Sequence, residues 1–224
     1  MVEAIQQFLE RSKISTLFFV FIKSTGVSAA VFFLTLIFAI PLAVIICSGR
    51  LSKFKPLSVL TNWFLLIIRG TPLMLQLIFV YFAPAYIFKT SLDRFTASII
   101  AMVINYACYF AEIYRGGIQS IPQGQYEAAK VLGFTKIQTF FKIVVPQVIK
   151  KIIPPMGNEV ITLVKDTALV QVIGVAELFH AAQTQSGRLV SVGPLFFAGV
   201  IYFIMNYIVS KTFDFVEKKL DYYK

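Results

Sequence analysis

The chain has 224 residues, 58% of them hydrophobic and 14% charged, with a formal net charge of +10 and a mean hydropathy of +0.77. A soluble domain carries about 25% charged residues, so this composition leaves too little polar surface for a water-soluble globule, and lipid is the expected solvent. The basic residues sit at the ends of apolar runs, where they orient a membrane protein rather than mark a nucleic-acid binder.

Met1 to Lys13 has mixed charge and no short apolar core with a small-residue cleavage site, so no cleaved leader is expected. Residues 26–47 are uncharged and long enough to cross a bilayer. Residues 57–88 are too long for one crossing, roughly 48 Å as a continuous helix against a hydrocarbon core of about 30 Å. Gly70-Thr71-Pro72 interrupts them: Gly ends one helix, Thr caps the next, and Pro fits its first position. Residues 57–69 therefore read as a partial, interfacial or protein-buried piece, and residues 72–88 as the crossing. Arg69 at the break can pair with an acid, meet the last carbonyls of its own helix, or snorkel to the interface. Further crossings are expected at 97–117, 152–175 and 189–210.

The fold class is thus all-α, one polytopic membrane domain over residues 1–224 with five transmembrane helices. Of the 21 Lys and Arg, thirteen fall on one set of loops, among them Lys53, Lys130, Lys151, Lys218 and Lys224. Six fall on the other: Arg11, Lys13, Lys23, Lys89, Arg94 and Arg188. The positive-inside rule makes the richer set cytoplasmic, with the N-terminus outside and the C-terminus inside. Cys47 and Cys108 lie in apolar runs and read as packing residues, and His180 alone cannot make a metal site.

Residues 120–146 form a polar, basic segment on the cytoplasmic side. Ser120-Ile121-Pro122-Gln123 opens a first helix that runs to Leu132, with Gly133 as terminator. Thr135-Lys136-Ile137-Gln138 is a capping box for a second helix carrying Phe140, Phe141, Val144 and Val145 up to Pro146. Ala128 and Ala129 keep one face thin, and Glu127 is free to pair with a cation. Either an amphipathic connector or a docking hairpin fits these residues alone.

Polar residues within the spans cost a few kcal/mol or more unless they face a cavity or a partner. Asn105, Tyr109, Glu112 and Gly116 share one face of the third span, at intervals of four, three and four. Glu159, Thr162 and Asp166 share a face of the fourth, with Asn158 beside them. Asn105, Tyr109, Glu112, Asn158, Glu159, Thr162 and Asp166 are the candidate substrate path. Glu112 falls about 22 Å from the outer start of its span, so it serves either the path or a structural ion pair with Arg115 near the cytoplasmic edge. There is no Gly-x-x-x-x-Gly-Lys phosphate loop and no Ser/His/Asp set, so no ATPase site or other catalytic residue is expected.

Glu127-Ala128-Ala129, then Gly133, Ile143 and Pro146, resembles the EAA loop of ABC-importer permeases. Arg69-Gly70-Thr71-Pro72-Leu73 with Gln76, Ala111-Glu112-Ile113-Tyr114-Arg115-Gly116-Gly117-Ile118, Pro154-Pro155-Met156-Gly157-Asn158-Glu159 and Lys165-Asp166-Thr167 are similar to motifs of the polar amino acid branch. They cover residues 57–177 in order; Val145 stands where that family usually has Leu. The resemblance implies a permease without cofactor of its own that docks Glu127, Ala128, Ala129 and Gly133 onto an ABC ATPase subunit holding the ATP. It also implies a second permease, identical or related, an extracellular or periplasmic substrate-binding protein, and a polar amino acid substrate of open charge. A secondary transporter driven by an ion gradient and a non-transporting membrane scaffold are the alternatives; five spans leave little room for inverted repeats.

Overall fold

A computed structural model describes the backbone of residues 2–220, with side chains from residue 16 onward. The side chains of Arg11, Lys13 and Lys224, which entered the orientation count, lie outside the described residues. Among those residues every regular element is helical. In chain order they are α1 (Val2–Arg50), α2 (Lys55–Gly70), α3 (Leu73–Phe88), α4 (Arg94–Gln119), α5 (Gln123–Val131), α6 (Lys136–Thr139), α7 (Val145–Asp166), α8 (Leu178–Leu189) and α9 (Gly193–Leu220). A π-helical turn at Phe140–Val144 joins α6 to α7, and a 3-10 turn at Thr167–Ile173 follows α7.

Among the described residues three helices are long and apolar enough to cross a membrane: Thr16–Arg50 within α1, α4, and α9. The pair α2 and α3 passes together, bent by 108° at the break, which makes up to four candidate spans where five were expected. The remaining expected span corresponds to α7, whose Lys150, Lys151, Glu159, Lys165 and Asp166 dilute its apolar character. The apolar part of α1 begins ten residues before the expected boundary, because Lys23 does not interrupt it: a single exposed lysine can carry its charge to the interface along an apolar stem. The last span begins at Gly193 rather than residue 189, because Val190 adopts a left-handed conformation (φ 48°) that ends α8.

α1 packs along α4, and α7 packs between α4 and α9. The core between them holds Val31, Met102, Tyr106, Phe110 and Leu163, all inaccessible or nearly so. Phe19, Ile37 and Ile45 of α1 and Phe196, Phe203 and Ile208 of α9 point outward, as helices solvated by lipid require. A Cβ on Gly117 would collide with the Ile152 side chain, so α4 and α7 approach where only glycine leaves room. Cys47 and Cys108 are both free and buried.

Two carboxylates cap helix starts. Asp93 accepts from the Thr96 N–H at 2.9 Å and starts α4; the hydrogen bonds from Thr96 hold its carboxyl below the usual carboxylate range. Glu177 starts α8, is wholly buried, and accepts from Phe179 N (2.8 Å), His180 N (2.7 Å), Tyr202 OH (2.8 Å) and Ser28 Oγ (3.3 Å). One carboxylate thereby ties α1, α8 and α9 together.

Candidate functional site

The bend between α2 and α3 is built by one side chain. Gln76 donates through Nε2 to Ile68 O (2.7 Å), Thr71 O (3.1 Å) and Thr71 Oγ1 (2.9 Å), joining the end of α2 to the start of α3. Thr71 does not cap α3 with its side chain as expected; its hydroxyl donates back to Ile67 O, and Pro72 occupies the N-cap position. Because Nε2 is spent on these three acceptors, Oε1 turns to α4 and accepts from Asn105 Nδ2 at 2.9 Å. Asn105 is accordingly buried, at 4% exposure.

One turn further along α4, Tyr109 stacks under the Arg69 guanidinium, 5.2 Å from ring centroid to Cζ. The next turn brings Glu112. Arg115 holds it with three hydrogen bonds of 2.8–3.1 Å, while Arg69 and Arg50 approach to 3.6 and 3.8 Å. The C-terminal ends of α1 and α2 thus converge with α4 on a single carboxylate, three guanidiniums around one acid. This is the structural ion pair left open by the sequence, with two further cations. Gly116, one turn on, is exposed. A cavity of about 310 Å³ opens here, lined by Asn62, Arg69, Gly70, Tyr109 and Glu112 with Leu65 and Leu66.

The stripe on α7 is less tied down. Asn158 is exposed, and Thr162, also exposed, donates its hydroxyl back to Asn158 O at 3.0 Å. Glu159 is half-buried and within electrostatic reach of Arg69 and Asp166. Asp166 accepts from Tyr106 OH at 2.7 Å, which links the end of α7 to α4. The α7 stripe therefore meets α4 through Tyr106, a residue beside the expected α4 stripe rather than on it.

The elbow at 120–146 departs from expectation at both ends. Ser120 does not cap α5; its hydroxyl donates back to Gly117 O at 2.7 Å, and α5 starts after Pro122, which needs no N–H partner there. Gly133 does end that helix, at φ 77°. The Thr135 capping box forms, with Thr135 N donating to Gln138 Oε1 (2.9 Å) and Gln138 N to Thr135 Oγ1 (3.3 Å). The second helix does not stop at Pro146: the π-helical turn shifts the register so that Pro146 falls in the first turn of α7, where its missing donor costs little. Glu127 and Ala128 are exposed, but Ala129 is buried at 1% and cannot be touched from outside. Val131, Leu132, Ile137 and Phe141 stand exposed beside Lys130, Lys136 and Lys142.

Residues 39–222 match the binding-protein-dependent transport system inner membrane component family. The chain belongs to this family. The permease is 38% identical over 193 residues to the L-cystine transport system permease protein TcyB of Bacillus subtilis, covering 85% of this chain and 82% of that one. It is 36% identical over 180 residues to the arginine transport system permease protein ArtQ of the same organism, covering 80% and 82%. Among solved structures, it resembles a crystal structure of an amino acid ABC transporter with histidines, at TM-score 0.85 and 33% identity over 95% of this chain and 98% of that one.

Three residues that organise the permease's site were not among its expected contacts. Gln76 was read only as part of a motif around the break, and Arg69 was given an acid as one of three partners without that acid being named. Tyr106 was hidden as one more aromatic in an apolar run, and only its partner on another helix reveals the hydroxyl's use.

Proposed function

We propose that this permease is the translocating subunit of an ATP-driven importer for polar amino acids. The observation that carries this reading is the elbow: four large apolar side chains exposed among lysines on a helix pair that continues without a break into α7. An exposed apolar patch of this kind marks a surface awaiting a partner, and the ATPase subunit of a binding-protein-dependent system is the partner the family implies. Glu127, Ala128 and Gly133 form the docking face, with Ala129 packing beneath it.

In this scheme five segments cross the membrane, α7 and the bent α2–α3 pair included, with the elbow and the C-terminus in the cytoplasm. α7 survives its charges because Asp166 accepts from Tyr106 OH and Glu159 is half-buried rather than turned wholly to lipid. Two permease chains enclose the path, and a binding protein delivers substrate from outside. Closure of the ATPases on ATP pulls the elbows, and the pull reaches Glu159, Thr162 and Asp166 through the continuous helix. The named specificities of the relatives, for cystine and for arginine, support an amino acid as cargo.

A crosslink tests the docking. A cysteine at exposed Ala128 is expected to trap the ATPase subunit in a functional complex, whereas one at buried Ala129 is not. A functional complex that gives no Ala128 crosslink overturns the docking role.

A further inference from the structure

We propose that Arg69 receives the carboxylate of the transported amino acid in the cavity at the inner end of α4, an inference that rests on the amino-acid reading above. Three guanidiniums surround Glu112, but they are not equivalent. Arg115 is spent on Glu112 and on Gln119 Oε1, at 2.6 Å. Arg50 does not line the cavity. Arg69 does, with its side chain 41% exposed, and its ion pair with Glu112 spans 3.6 Å, too long for a hydrogen bond. Among the described residues none of its five N–H groups makes a hydrogen bond. The Tyr109 ring beneath it fixes the plane of the fork.

A preoriented, unspent guanidinium is built to take an oxyanion in two parallel hydrogen bonds. Glu159 is also within electrostatic reach of Arg69, yet three guanidiniums still outnumber two carboxylates, and that excess favours a further anion beside Glu112, whose own charge is already engaged. The cavity, about 310 Å³ and open on one side, has room for one amino acid. Its position continues the face of Asn105 and Tyr109, so a substrate leaving that stripe toward the cytoplasm meets Arg69 next. The carboxylate is the group every amino acid shares, so this contact serves cargo of any side-chain charge.

The test uses the complete importer, permease with its ATPase subunits, in phosphatidylcholine nanodiscs. A panel of the twenty amino acids and cystine, given with the binding protein, first identifies the one that stimulates ATP hydrolysis. Calorimetry without the binding protein then compares that amino acid with its carboxamide. The wild type is expected to bind the carboxamide about tenfold or more weakly, the size of one charge-assisted interaction. Arg69→Gln is expected to bind acid and amide alike, and Arg69→Lys to keep a reduced preference because it retains charge without the fork. Undiminished preference in Arg69→Gln overturns the proposal; where that variant does not assemble, undiminished preference in Arg69→Lys does so. Adding phosphatidylglycerol separates the other source of an oxyanion: displacement of the amino acid from the wild type means that the site takes a lipid phosphate, against the proposal. If no amino acid in the panel stimulates hydrolysis, the amino-acid reading itself fails, a result distinct from a failure at Arg69.

Discussion

Glu112 holds one negative charge among three guanidiniums, and that imbalance decides what its loss would do. Glu112→Gln leaves Arg50, Arg69 and Arg115 to repel one another in a partly buried setting. The expected cost is about 2 kcal/mol, below the full value for a buried pair because the cluster is reached by water, and it is read as a lower thermal midpoint of the purified complex. Glu177 offers a contrast. Glu177→Leu strips a fully buried acceptor from Phe179 N, His180 N, Tyr202 OH and Ser28 Oγ, so a loss of roughly 3 kcal/mol or more is expected. Glu177→Gln, which keeps one oxygen, should fall between Leu and wild type in the same melting experiment. The spacing of Asn105, Tyr109 and Glu112 was legible because period 3.6 puts them on one face. Their distant partners were not, since Arg50, Arg69 and Gln76 come from other helices and no local pattern joins them.

Helix ends and breaks carry the next set of consequences. Gln76 uses two amide hydrogens and one oxygen, each toward a different element, so Gln76→Glu is a sharp probe: the same shape offers only acceptors to Ile68 O and Thr71 O. Substrate-stimulated ATP hydrolysis should fall about tenfold, as two lost charge-neutral bonds imply. Wild-type activity in this variant would mean that the bend holds without Gln76. In the elbow, Thr135→Ala removes the capping box of α6 at a cost of about 1 kcal/mol, and Gly133→Ala strains a left-handed residue by a similar amount. Both should weaken coupling, seen as ATP hydrolysis that no longer rises with substrate. The break at Gly70-Thr71-Pro72 and the Thr135 cap were readable because Gly, Pro and Thr act through local geometry. The false cap at Ser120 and the helix running through Pro146 were not: Ser120 found a nearer carbonyl, and a π-helical turn moved Pro146 to a position that tolerates it.

At the scale of the molecule, composition made lipid the solvent and charge bias fixed an expected orientation, while the exact spans depended on packing. α7 has too many charges to look like a crossing on its own, and the Tyr106 hydroxyl that partners Asp166 comes from another helix and is invisible in the local pattern. The orientation predicts that a cysteine at Ala128 is labelled only after a membrane-impermeant maleimide gains the cytoplasm, and that one at Lys89, in the opposite loop, is labelled from outside. If ATP hydrolysis by a partner drives amino acid through this chain, proteoliposomes holding the permease, its ATPase and its binding protein take up amino acid only when ATP and all three proteins are present. Uptake by the permease alone along an ion gradient would overturn that coupling.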